Sequence, residues 1–342
     1  MNFLLGLISA LIGGSALLYG NHRLRVARWR RQAACYGQTV ILEGRQVFYR
    51  LKGHGPLTIV VEPALGAPSA EWWQLQDQLA ACATVLTFDR PGYGWSDPAP
   101  TPRTSEQAAR ELQQLLDAID RRGSVILIGH SLGGLYVNHF ARLYPDRVRA
   151  AILLDPVSPR DAVAQQELPP EVYLSSGWDK TSGMKLAGTV NRLGLLRYLK
   201  PLMLKSPPFY YYKNLPPEQI EVIWQHLLNP TLAPTALEEY RQMHLPQNNL
   251  PLLTATGFPP IPLKVIYHTP QIIVDEIVKY GGLSNDQAWQ VENLWEKLLR
   301  EYLTLSPDSE WITTTQASHF IHMDEPELVL NVVKKLLAEI QA

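Results

Sequence analysis

The chain has 342 residues, 46% hydrophobic and 18% charged, a composition that excludes wholesale disorder and is long enough for one large domain. A formal net charge of −1 supplies no overall field to gather nucleic acid, so no nucleic-acid partner is expected. The two cysteines, Cys35 and Cys82, make no disulfide framework, and HExxH, Walker A and EF-hand patterns are missing, so neither a metal nor a cofactor is expected.

The first element in chain order is an uncharged apolar run at residues 3–20. As a helix it would reach about 27 Å, enough for a thin hydrocarbon core. No basic residue precedes it and no A-x-A site follows, which argues against a cleaved signal peptide. Arg23, Arg25, Arg28, Arg30 and Arg31 come directly after it. Residues 1–31 therefore read as a single-pass transmembrane anchor with a basic flank. The positive-inside rule then holds the body of the chain on the cytoplasmic side of its membrane partner. An interfacial helix, with Trp29 and the arginines on anionic headgroups, is the alternative. Without those five arginines the chain has 26 basic residues against 32 acidic ones.

From Gln38 onward, strand-like and helix-like segments alternate, which predicts an α/β fold with a mostly parallel sheet. Gln38–Leu42 and Arg45–Lys52 read as a hairpin about Glu43-Gly44. Leu57–Glu62 and Ala83–Phe88 are apolar runs suited to strands covered on both faces. Ser105–Arg122 has helical spacing and a Thr104 start. Ser124–Gly129 reads as a strand, Leu132–Leu143 as a helix and Arg149–Leu154 as a strand. Residues 156–262 are rich in Pro, Tyr and Leu and show only short helical stretches. They are too long for an ordinary loop and predict a structured helical lid. Leu263–Tyr267 resumes the sheet, followed by a helix near Gln287–Leu303, a strand at Glu310–Thr314 and a last helix from Pro326 to Ile340. The core is thus expected in two parts, residues 32–155 and 263–342, on either side of the lid.

Gly129-His130-Ser131-Leu132-Gly133 fits G-x-S-x-G, and it lies where the pattern has meaning, between an apolar strand and an amphipathic helix. A serine on such a turn projects its hydroxyl beyond the sheet edge. Gly129 and Gly133 leave room that side chains would fill, and Gly134 lets the helix pack. The helix N-terminus brings backbone N–H groups and a positive dipole end to the reacting oxygen.

With this motif in its setting, the sequence resembles the α/β-hydrolase superfamily from about Val40 to Leu336. Three more stretches carry the resemblance. Asp89-Arg90-Pro91-Gly92-Tyr93-Gly94-Trp95-Ser96 is similar to the family's D-R-x-G-x-G-x-S turn, where Asp89 and Arg90 would brace the loop. The loop Pro63-Ala64-Leu65 stands where relatives usually carry H-G-x, which implies that the backbone of Leu65 supplies one oxyanion donor and that of Leu132 the other. Ala317-Ser318-His319 stands where the family places its catalytic histidine, so the resemblance implies His319, not His322, as the base. A neutral imidazole can take the proton of Ser131 and return it to the leaving group.

The third member of the triad is harder to place. Many relatives carry it in the loop after the strand Leu263–Tyr267, and that loop has no acid here. A minority carry it after the strand that follows the elbow helix. That position is Asp155, which is preferred, with Asp286 as rival. The expected reaction is hydrolysis of a carboxylic ester by an acyl-enzyme on Ser131, with a small-molecule or lipid-like ester as substrate. Trp178, Phe209, Tyr210, Tyr211 and Tyr212 in the lid suit an apolar or aromatic group. An acyltransferase, a cofactor-free haloperoxidase, a C–C hydrolase or a non-catalytic binding protein would use the same scaffold.

Overall fold

A computed structural model describes residues 2–252, 254 and 256–341, with side-chain surroundings from Gly13 onward except at Leu250 and Gln341. Eight strands form one sheet in the order β1-β2-β4-β3-β5-β6-β7-β8. They are β1 (Gln38–Leu42), β2 (Arg45–Lys52), β3 (Thr58–Glu62), β4 (Thr84–Phe88), β5 (Val125–His130), β6 (Val148–Leu154), β7 (Leu263–Tyr267) and β8 (Ser309–Thr313). Strand β2 runs antiparallel to both neighbours, and every pair from β4 to β8 is parallel. The α/β fold with a mostly parallel sheet is as expected.

The strand faces explain why continuous apolar runs were needed. Along β3, Val60 enters one core cluster while Ile59 and Val61 enter the other. Along β5, Val125 and Leu127 face one way, Ile126 and Ile128 the other. Helices Ser105–Ala118 and Leu132–Leu143 cover the first face, and helices Trp73–Leu79 and Pro326–Gln341 the second. The hairpin turn puts Glu43 and Gly44 both at positive φ, 49° and 77°, the mirror-image turn that matches strand twist. Helix Ser105–Ala118 starts on a Thr104 cap that accepts from the Gln107 amide, but ends four residues before the expected Arg122. Asp120 turns left-handed at φ 56°, and the Arg121 amide closes back on Leu116. Between β6 and β7 the described residues form helices and connections without a strand.

The expectation of a membrane-spanning anchor is overturned. Among the described residues, no helix is long and apolar enough to cross a membrane. The N-terminal helix runs unbroken from Asn2 to Arg30, and its arginine-bearing half docks on the protein. His22, Val26 and Trp29, spaced four and three apart, are buried on one face. Trp29 stacks on Trp95 at 4.8 Å, its carbonyl accepts from the Trp95 indole at 3.1 Å, and Arg30 pairs with Asp97 at 2.5 Å. This half of the helix is spent on packing rather than on flanking a bilayer. The membrane as partner therefore loses its support, and the cytoplasmic placement, which rested on the flank, goes with it. The side chains of residues 3–12, within the apolar run, lie outside the described ones. A Cβ built on Gly13 or Gly14 would meet nothing within 4 Å among the described residues.

Sheet and helical insertion are bolted together by Arg90. Its guanidinium meets Glu62 at 3.1 Å, Glu239 on the insertion helix Leu232–Met243 at 3.1 Å, and the carbonyls of Pro63 and Ala64 at 2.6 and 2.8 Å. Removing one member of a buried ion network strands the others without water. Arg90→Leu is expected to cost about 3–5 kcal/mol in urea unfolding. A loss below about 1 kcal/mol, the range of an exposed pair, would contradict this role.

Candidate active site

Ser131 follows β5 directly and precedes helix Leu132–Leu143 with φ 54° and ψ −120°, a backbone that non-glycine residues rarely adopt. Such strain costs on the order of 1–3 kcal/mol, and the surroundings must enforce it. The glycines beside it show how. A Cβ on Gly129 would lie 2.7 Å from the Gly133 carbonyl oxygen, one on Gly133 would lie 2.1 Å from that of Glu62, and one on Gly134 would lie 2.4 Å from the Pro156 side chain. Strand, elbow helix and the loop after β6 thus close around the turn only because these three positions lack side chains.

The loop after β3 is held on both sides of Leu65. The Ala64 carbonyl accepts from Arg90. The Gly66 amide donates to the Tyr93 hydroxyl at 3.2 Å, and the Gly66 carbonyl accepts from His226 Nε2 at 2.8 Å. His226 in turn accepts the Gly94 amide on Nδ1 and is therefore the neutral tautomer. Burial pulls its pKa down to about 4. Among the described residues, the amides of Leu65 and Leu132 donate to no protein acceptor. Tyr93 and Trp95 brace this region: the Tyr93 hydroxyl donates to Glu239 at 2.7 Å, and Trp95 is sealed under Trp29.

His319 Nδ1–H donates to Asp155 Oδ2 at 2.5 Å, across 164 residues of sequence. Asp155 follows β6 directly and also has a positive φ, 44°. Asp286, its rival, lies exposed in the first turn of helix Asn285–Arg300 and makes no such contact. Ser131, His319 and Asp155 all line one cavity; the Ser131 hydroxyl and the His319 ring are not hydrogen-bonded to each other in this arrangement. Behind His319, the His130 Nε2–H donates to its carbonyl at 2.8 Å. Burial, then the nearby His319, takes the His130 pKa down to about 3, so this support is uncharged. His322 is buried and stacked on Trp72 at 4.0 Å.

Sequence reasoning missed a second imidazole. His268 donates from Nδ1 to Asp155 Oδ2 at 2.7 Å and from Nε2 to Glu292 Oε1 at 2.8 Å. Both nitrogens act as donors, so the ring is an imidazolium. Burial opposes the charge, but Asp155 and Glu292 outweigh it and push the pKa to about 10. Burial also raises Asp155, but His268 and then His319 hold its carboxyl below the usual range. Trp295 Nε1 donates to Asp155 Oδ1 at 2.9 Å, which completes its shell. The one available signal was position: His268 directly follows β7, where many relatives carry the acid itself.

The cavity encloses about 830 Å³ between sheet edge and insertion. Trp178, Phe209, Tyr211 and Tyr212 line it, whereas Tyr210 is absent from the lining and, with Tyr211, donates to Glu276.

A family model described as the alpha/beta hydrolase family matches residues 54–332. The uncharacterized protein YqjL of Bacillus subtilis is 25% identical over 278 residues, 81% of this chain and 82% of its own. The human (lyso)-N-acylphosphatidylethanolamine lipase is 33% identical over 146 residues, 42% of each chain. A thermophilic esterase from Thermogutta terrifontis superposes with a TM-score of 0.60 at 21% identity, covering 90% of this chain and 100% of that one. A putative epoxide hydrolase from Pseudomonas aeruginosa reaches 0.67 at 17%, with 89% and 95% covered. At such identities the structural likeness speaks for the fold alone.

The His268 imidazolium ties stability to pH. Its pKa is 6.5 ordinarily and about 10 in the fold, so protonation favours the folded state fully below 6.5 and progressively less as pH rises through 10. The stability gap between wild type and His268→Gln, measured by urea unfolding, is expected to shrink steadily from pH 6.5 to pH 10. A gap that stays constant or widens over that range would show the ring to be neutral.

Proposed function

The chain belongs to the α/β-hydrolase family, and on that premise we propose that it is a serine hydrolase that cleaves a carboxylic ester, or a related acyl bond, through an acyl-enzyme on Ser131. The observation that carries this reading is the 2.5 Å contact of His319 with Asp155 on the wall of the cavity that Ser131 also lines.

The Ser131 hydroxyl attacks the carbonyl carbon as its proton passes to His319 Nε2. The tetrahedral oxyanion is met by the amides of Leu65 and Leu132, which have no competing acceptor among the described residues. Each such donor lowers the barrier by about 3–4 kcal/mol when fixed in advance. Asp155 keeps the Nδ1–H of His319 directed toward itself and stabilises the imidazolium as it forms. His319 then returns the proton to the leaving alcohol, and the C–O bond breaks. A water loses its proton to the same nitrogen, attacks the acyl-enzyme and frees the acid and Ser131. Serine at the elbow supports an acyl-enzyme over the carboxylate-nucleophile chemistry of the superfamily's epoxide hydrolases.

The test is labelling by a fluorophosphonate probe alongside hydrolysis of p-nitrophenyl esters. Ser131→Ala is expected to lose both. His319→Ala and Asp155→Asn are expected to lower kcat by on the order of 10³–10⁴, and Asp286→Asn to leave it unchanged. A folded wild type that neither labels nor hydrolyses any ester would sink the reading. A product that is an ester of an added alcohol, rather than free acid, would replace water with an acyl acceptor.

A further inference from the structure

The charged groups of the cavity wall are nearly all accounted for. Among the described residues, six carboxylates line it, and each is already held by a protein donor. Asp155 has its three donors, and Glu292 accepts from His268 and Tyr267. Asp161 accepts from Trp178 at 3.1 Å and faces His244 at 3.1 Å. Glu276 takes two tyrosine hydroxyls, Glu71 takes that of Tyr212 at 2.7 Å, and Asp179 takes the Thr181 amide at 2.8 Å.

Lys180 is the exception. It immediately precedes helix Thr181–Arg192 of the insertion and lines the same cavity as Ser131. Among the described residues five lysines lie within 4.0 Å of a carboxylate, Lys200 with Glu221 at 2.6 Å and Lys264 with Glu310 at 2.9 Å among them; of the lysines without one, Lys180 is the one that lines the cavity. Lys180 has no carboxylate of the described residues within 4.0 Å. Lys180 is exposed, and the cavity is part of the space its side chain faces. Burial pulls its pKa below the ordinary lysine value, against the attraction of Asp161 and Asp155. An ammonium on a cavity wall with no carboxylate at hydrogen-bond distance keeps its donors open to an incoming anion, and a bond between the two is charge-assisted. Met184, Leu232 and Ile277 line the same cavity and suit a substrate with an apolar body as well as a charge.

We propose that Lys180 recognises an anionic group, carboxylate or phosphate, on the substrate of this cavity, so that the ester cleaved at Ser131 is amphiphilic with one acidic end. The inference rests on Ser131 as nucleophile. A second measurement keeps it independent of turnover.

The first measurement compares kcat/KM for mono-p-nitrophenyl suberate, its phosphate-ended analogue p-nitrophenyl 8-phosphonooxyoctanoate, and the neutral p-nitrophenyl octanoate. Lys180→Met is expected to lower the anionic-to-neutral ratio about tenfold or more, through KM, since a charge-assisted bond of this kind is lost. Lys180→Arg is expected to restore most of it, and whichever anionic ester suffers more identifies the group. The second measurement is calorimetric binding of octanoate anion to Ser131→Ala and to Ser131→Ala/Lys180→Met, both checked by thermal melting. Binding weakened by loss of Lys180 supports the anion site even if no ester is hydrolysed. An unchanged ratio in active enzyme, or unchanged octanoate binding in the folded double variant, overturns it.

Discussion

Arg90 carries a full charge to a place where its side chain keeps 2% of its exposure, between Glu62 at the end of β3 and Glu239 on the insertion. Burial alone would drive Glu62 toward neutrality; Arg90 draws it back, leaving its pKa at about 7. The bridge also gathers the carbonyls of Pro63 and Ala64, so the backbone that leads to Leu65 cannot drift without unmaking a buried ion pair. A guanidinium suits this place because its planar fork serves two carboxylates and two carbonyls at once. The loop after β3 and the cavity roof therefore share one fixed point. The glycine clearances around Ser131 then leave the elbow little freedom beside it.

Much of the fold was legible because β-strands buried on both faces write themselves as apolar runs. LTIVVE, ATVLTF and RAAILL each fell within a residue of the observed strands. Helix ends were legible where a side chain caps them, as Thr104 does, and less so where a left-handed residue such as Asp120 ends the turn. Helices Trp73–Leu79 and Pro270–Glu276 went unread, each a mere seven residues with no side-chain cap. The N-terminal segment misled for a different reason. Its apolar run and its arginines were both read against a bilayer, while the packing face at His22, Val26 and Trp29 shows only when the helix is continued through the arginines.

The candidate site was legible to the extent that its residues sit in local motifs. Ser131 with its glycines, and His319 after its strand, needed only short windows of sequence. Asp155 and Asp286 could not be told apart that way, because the contact between Asp155 and His319 spans 164 residues. His268 and Lys180 carry no motif at all. One is marked by two carboxylates from distant segments, the other by finding none, and both facts exist only after folding.

The docked N-terminal helix has a practical consequence. Trimming the chain before Gln32 would remove Trp29 and Arg30, leaving the Trp95 indole without its carbonyl partner and opening the aromatic stack formed with Tyr36, Phe48 and Trp73. A flat aromatic face of that kind attracts copies of itself. Shortened forms of this protein would thus aggregate for a reason unrelated to any lipid, and their recovery would depend on keeping the stretch around Val26 to Arg31 in place.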